Sequence, residues 1–216
     1  MRCPVCASDT RAVSHPRFEI LFHVCKACGI IVKDPSHRLS RRDEKAVYDL
    51  HQNSIDDIGY VNFLTNFMEA AVIPYAKGRR LLDFGSGPTP VFAEILTREG
   101  FDVSIYDPFY APDTSVLEST YDVITAVEVV EHLSDPLGTF RTLSSMLRSG
   151  GTLAVMTLFH PDDMDRLFDW FYIRDTSHVA FYLPETLMTI AKMTGLEVVR
   201  CDNHRQTTFR KISSEL

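Results

Sequence analysis

Apolar and polar positions alternate along residues 60–212 in a way that marks out helices and strands in turn. In residues 60–72, Phe63, Phe67, Ala70 and Ala71 recur at helical spacing and predict an amphipathic helix, which Pro74 and Gly78 end. The apolar run Leu81-Leu82 then leads through Asp83 and Phe84 into Gly85-Ser86-Gly87, a strand closing on a glycine turn. A helix follows. Thr89 is its predicted N-cap, Pro90 sits in the first turn, Phe92, Ile95 and Leu96 form its apolar face, and Gly100 closes it. Residues 102–106 and 121–127 read as strands, and 133–147 as a helix stopped by Gly150-Gly151. Residues 152–157 are almost continuously apolar, as in a strand covered on both faces. A helix over 184–194 lies between Pro184 and Gly195. The final strands, 196–200 and 206–212, are joined by so short a turn that they must be antiparallel. The pattern predicts an α/β fold: a doubly wound, mostly parallel sheet with a C-terminal antiparallel hairpin.

The first 33 residues are different. Cys3-Pro4-Val5-Cys6 and Cys25-Lys26-Ala27-Cys28 are two knuckles with eighteen residues between them, a zinc-ribbon spacing. Two residues between paired thiolates let both reach one tetrahedral ion, and residues 18–24 can supply a ribbon strand. Cys3, Cys6, Cys25 and Cys28 are therefore expected to hold a structural zinc with no open coordination position. A disulfide pair and a redox dithiol are the alternatives. Cys201 stands apart, as a small core residue. The expected organisation is a zinc-ribbon-like module over 1–33, a connector over 34–59 that includes a short helix at 46–48, and a Rossmann-like domain over 60–216.

Net charge narrows the partners. Residues 1–50 carry nine Lys/Arg against six Asp/Glu, whereas the rest carry thirteen against twenty-three. So acidic a domain matches a phosphate backbone poorly. No apolar run reaches the length of a membrane span, and the first residues lack a signal peptide's apolar core. The expectation is a cytoplasmic protein with a small-molecule partner.

The strand, glycine turn and helix form the corner that cradles a nucleotide in doubly wound sheets, and Asp107, twenty residues beyond Gly87, ends the next strand where a ribose-binding carboxylate belongs. LLDFGSG, Asp107 and YDVITAVEVVEHLSDP together resemble class I S-adenosylmethionine-dependent methyltransferases over residues 60–212. The resemblance implies that Asp83, Gly85, Ser86 and Gly87 surround the methionine moiety, Asp107 the ribose, and that Glu128 lies near the cofactor. It also implies that Tyr60, in the helix ahead of the first strand, lids the cofactor; a packing role in that helix is the alternative. Two departures stand out. Thr89 replaces the family's third glycine. Tyr121 follows Asp107 by only fourteen positions, which shortens the adenine-holding segment and leaves Asp113 and Glu118 as its weakest candidates.

Glu128-Val129-Val130-Glu131-His132 resembles the metal-binding stretch of ubiquinone-biosynthesis O-methyltransferases and small-RNA 2′-O-methyltransferases. With His178, that resemblance implies a divalent ion on Glu128, Glu131, His132 and His178 that acidifies a hydroxyl acceptor. The alternative is a metal-free Glu-His pair closing the pocket. His178, His132 and His160 are the candidate catalytic histidines, and the aromatic insertion around Trp170, Phe171 and Tyr172 is a candidate acceptor wall. His15, His37 and His51 read as solvated. The activity implied is methyl transfer to a small molecule, at a hydroxyl or a carbon. An RNA methyltransferase docking through the ribbon and a non-catalytic ribbon protein are the competing functions. A nicotinamide dehydrogenase lacks room for a substrate domain.

Overall fold

The computed structural model describes residues 1–50 and 53–213. His51 therefore lies outside the described residues. The chain begins with an antiparallel ribbon: β1 (Arg11–Ser14) and β2 (Leu21–Val24) lie between the two cysteine knuckles and β3 (Ile31–Lys33) follows the second. Next come α1 (Arg41–Tyr48), capped by the Ser40 hydroxyl on Asp43 N, and α2 (Ile58–Phe67), capped by Asp57 on Tyr60 N. The helical path continues through a π turn over Met68–Val72 and a 3₁₀ turn over Ile73–Tyr75, where Pro74 stops it.

The parallel core is built from β4 (Arg80–Phe84), α3 (Val91–Arg98), β5 (Asp102–Tyr106), β6 (Tyr121–Val127), α4 (Pro136–Met146) and β7 (Leu147–Met156). An insertion holding α5 (Met164–Asp169) leads to β8 (Ala180–Phe181), then α6 (Pro184–Thr194), β9 (Leu196–Cys201) and β10 (Gln206–Lys211). The large sheet runs β5-β4-β6-β7-β10-β9, with β5, β4, β6 and β7 parallel and β10 antiparallel to both neighbours. Helices α2 and α3 cover one face around Leu81, Val123 and Met156; α4 and α6 cover the other around Leu82, Ile124 and Val155.

Three expectations change in detail. The helix after Gly87 begins at Val91, with Pro90 rather than Thr89 at its N-cap position. The helix expected from residue 133 begins at Pro136, because 130–132 turn as 3₁₀ and Asp135 caps Gly138 N. Gly150-Gly151 does not stop that segment outside the sheet: β7 already starts at Leu147, and the glycines lie in a bulge between the Tyr121 and Val123 pairings.

The ribbon is joined to the core. β3 pairs with β8, so the small sheet reads β1-β2-β3-β8 and takes its last strand from residues 180–181. Cys3, Val5, Cys25, Cys28, Ile30 and Val32 pack in the same apolar cluster as Leu82, Tyr182 and Leu187.

Candidate active site

A cleft of about 720 Å³ opens where β4, β5 and β6 end, the position at which open α/β sheets bind ligands. Its volume falls in the upper range of small-molecule sites, roughly 300–1,000 Å³. Gly85, Ser86 and Gly87 contribute from the β4 turn, Asp107, Phe109 and Tyr110 from the β5 turn, and Glu128, Glu131 and His132 from beyond β6.

The glycine turn needs its glycines. Gly85 has φ +80°, and a Cβ there would lie 2.3 Å from Val129 Cγ2. Gly87 has φ +69° and donates its N–H to Asp107 Oδ2 at 3.1 Å. The other Asp107 oxygen accepts from Phe109 N at 2.8 Å and Tyr110 N at 3.0 Å. One carboxylate thus fixes both turns. Thr89, at the family's third glycine position, does not line the cleft, so the departure leaves this geometry intact.

Asp83 lies below the floor. It is buried, accepts from Thr125 Oγ1 at 2.8 Å and is not among the lining residues. Burial pushes its carboxyl up to about 6. Neither Asp113 nor Glu118 lines the cleft; both are exposed. The aromatic pair Phe109 and Tyr110 lines it instead, backed by the stacked rings of Phe84 and Tyr106. Tyr60 also lines it. Sequence reading missed Glu44 and Tyr48 of α1, which also line it; Tyr48 meets Phe109 and His132 edge-on. Their only signal was a short amphipathic turn in a segment read as a connector.

At the other end, Glu128 sits in the left-handed region at φ +53°, its N–H held by Met156 O. That turn aims its carboxylate toward Glu131 and Tyr172. The Tyr172 hydroxyl bonds Glu128 Oε2 at 3.0 Å and also Glu131 Oε1. One phenolic proton serves two carboxyl groups; burial raises the pKa of both acids, and the neighbouring Glu131 charge raises Glu128 further. His178 donates Nδ1–H to the Tyr172 carbonyl at 2.8 Å, and His132 Nδ1 lies 3.2 Å from the Ser177 carbonyl. Burial and the neighbouring His132 lower His178 to about 4, so its ring is neutral near pH 7. Ligand atoms of Glu131, His132 and His178 all fall within 4.8 Å of one another. Glu128 is not in that trio and instead holds Tyr172. The three have the donor set of a divalent-ion site, with backbone carbonyls orienting both rings.

Two histidine expectations are corrected. His160 is remote from the cleft lining: it is buried, with Nε2 2.9 Å from Gly29 O and Nδ1 2.9 Å from Pro161 O, so it fastens the second knuckle. His15 is buried rather than solvated, accepting from Arg17 N and Phe18 N at Nδ1 and bonding Phe168 O at Nε2. His37 is exposed, as expected.

The four knuckle thiols converge. Cys3 Sγ lies 3.6 Å from Cys28 Sγ and Cys6 Sγ 3.4 Å from Cys25 Sγ, with all four within 4.8 Å. Tetrahedral zinc with Zn–S near 2.3 Å separates its sulfurs by about 3.8 Å. The four are too far apart to be disulfides and close enough to share one ion.

The empty hydrogen-bonding capacity of the cleft tests its fit to a ligand. Among the described residues, five buried side-chain polar atoms have no partner. Three of them, Ser86 Oγ, Glu128 Oε1 and Glu131 Oε2, belong to residues that line this cleft. Orphaned polar atoms are costly unless something else satisfies them.

A mostly parallel sheet, a glycine turn pinned by an acid and a cleft at the strand ends that carries orphaned polar groups define a Rossmann-like α/β fold. The chain belongs to the methyltransferase-domain family, whose model matches residues 30–200. It is similar to the ubiquinone biosynthesis O-methyltransferase of Aliivibrio fischeri, 30% identical over 38% of this chain and 44% of that one. The Vibrio cholerae protein of the same name is likewise 30% identical, over 38% and 42%. The matched segments span less than half of these relatives. An O-methyltransferase family protein from Burkholderia thailandensis shares the fold at TM-score 0.53 and 14% identity, over 82% of this chain and 61% of that one. Mitomycin 7-O-methyltransferase MmcR does so at TM-score 0.53 and 14% identity, over 70% and 54%. No helix among the described residues is long and apolar enough to cross a membrane.

Proposed function

We propose that this chain transfers the methyl group of S-adenosylmethionine to a hydroxyl of a small-molecule acceptor. The observation carrying the reading is the placement of three orphaned polar atoms, on Ser86, Glu128 and Glu131, along one cleft beside the glycine turn. Relatives that are O-methyltransferases favour oxygen over carbon as the acceptor atom.

The cofactor, when bound, supplies an electrophilic methyl group. Gly85, Ser86 and Gly87 would hold its methionine portion, Asp107 its ribose and Phe109 and Tyr110 its base, while Glu128 marks the boundary with the acceptor. Asp83 supports the turn from beneath. The acceptor then occupies the end walled by Tyr48, His132, Phe171, Tyr172 and His178. There the protein has two tasks: to align the hydroxyl with the methyl group and to accept its proton. Neutral His178, with Nδ1–H committed to Tyr172 O, presents Nε2 as a base. A divalent ion on Glu131, His132 and His178 would instead acidify the hydroxyl directly. The clustering of those three ligand atoms favours that second reading. Zinc on the four cysteines belongs to the same proposal, as a structural ion.

Incubation with methyl-labelled S-adenosylmethionine, a panel of hydroxylated small molecules and total RNA tests it. Label in a small molecule at oxygen is expected. Label confined to RNA, or to carbon, overturns it.

A further inference from the structure

The ribbon grips the acceptor end of the cleft through one buried lysine. Lys33 ends β3 and is 2% exposed, yet its ammonium is not on the surface of the ribbon. It donates from Nζ to the Thr176 carbonyl at 2.8 Å, and its backbone N–H donates to Val179 O at 2.8 Å. Both acceptors flank His178. Val179 N in turn donates to Glu131 O at 2.8 Å. The turn carrying Asp175 and His178 is therefore held from the ribbon on one side and from the Glu131 backbone on the other.

The knuckles anchor the other end of this connection. Cys28 O accepts from Thr186 Oγ1 at 2.7 Å and Gly29 O from His160 Nε2 at 2.9 Å. Gly29 also packs so closely on Leu183 that an added Cβ would approach its Cδ1 to 2.9 Å. An ion held by the four thiolates would fix the second knuckle, which continues into β3, and β3 holds the turn at 176–179. A ribbon that merely docked a distant partner would need none of these contacts.

We propose that Lys33 is a positioning residue for His178, and that zinc in the ribbon thereby orders the acceptor side of the cleft while leaving the cofactor side unaffected. The proposal rests on the methyltransferase and zinc readings above. The cofactor side is built from the β4 and β5 turns, which take no bond from the ribbon among the described residues.

The test uses the full zinc-loaded chain, Lys33→Met and Lys33→Arg, with hydrogen exchange followed by mass spectrometry. In Lys33→Met, amides of 175–180 should exchange about tenfold faster or more, while β4 and β6 keep their protection. Emission of Trp170, the only tryptophan in the chain, should shift with them, because its ring lies 5.0 Å from that of Tyr172. Affinity for S-adenosylmethionine should stay within about threefold. Lys33→Arg, which keeps a donor for Thr176 O, should restore most of the protection. Unchanged exchange in Lys33→Met overturns the proposal, as does parallel loss of protection in β4 and β6. Should Lys33→Met fail to fold, removing zinc from the wild type decides the matter. Selective exposure of 175–180 supports the coupling, and uniform exposure or none contradicts it. Failure of the wild type to bind S-adenosylmethionine would sink the methyltransferase reading separately, leaving the exchange result to stand.

Discussion

Tyr172 donates its hydroxyl to Glu128 Oε2 at 3.0 Å, joining an insertion after β7 to the left-handed turn after β6. The same oxygen contacts Glu131, so the phenol is the shared partner of two buried acids. Removing it in Tyr172→Phe leaves both acids underpaired. A hydrogen bond to a charged group contributes about 1.5–3 kcal/mol. For a chain of this size, each kcal/mol lowers the melting temperature by about 2–4 °C. Thermal melts at pH 8, where charge on the pair is greatest, should show the largest fall. An unchanged melting temperature would contradict this role.

Asp83 gives a pH-dependent test. Its carboxyl is raised from 3.8 to about 6 by burial, so the folded state binds the proton more tightly than the unfolded one. The stability this provides is complete below pH 4 and is lost as pH rises through 6. Asp83→Asn keeps an acceptor for Thr125 and removes the buried charge. It should be more stable than the wild type at pH 8 by about 2–3 kcal/mol, since each tenfold gain in proton affinity on folding corresponds to about 1.4 kcal/mol. The two proteins should converge below pH 4. Melts taken across pH 4 to 8 check this; a variant less stable at pH 8 contradicts it.

His160 is expected to matter for stability alone. His160→Leu removes the bonds to Gly29 O and Pro161 O and should cost about 1–3 kcal/mol, because the carbonyls lose their donor. Methyl transfer to whichever acceptor the labelling screen finds should stay within about threefold of the wild type. A loss of two orders of magnitude with the fold intact would restore His160 as a catalytic group.

The knuckles should hold one zinc per chain with four sulfur ligands at about 2.3 Å by X-ray absorption. Cys28→Ser should lose the ion and melt early. A sulfur–sulfur distance near 2.0 Å in place of the metal signal would show a disulfide instead.

The sheet and its glycine turn were legible because local rules fix them. Apolar runs end at Asp83, Asp107 and Glu128, and each ends where a turn enters the cleft. The cysteine knuckles were legible by spacing alone. What lies between distant segments was not. Nothing local marks Lys33 as a partner of Thr176, or His160 as a partner of Gly29, since both bonds span more than a hundred residues. The same holds for β3 pairing with β8, a two-residue strand too short to leave a periodic signal. Tyr48 escaped notice because α1 is largely exposed and charged, and its role comes only from folding back over Phe109 and His132.

Calorimetric titration of the folded, zinc-loaded chain with S-adenosylmethionine decides whether the cleft is a cofactor site. Saturable binding of one equivalent per chain, displaced by S-adenosylhomocysteine, is the predicted result. Absence of binding by the intact protein would contradict the assignment of the cleft to this cofactor and, with it, the proposed methyl transfer.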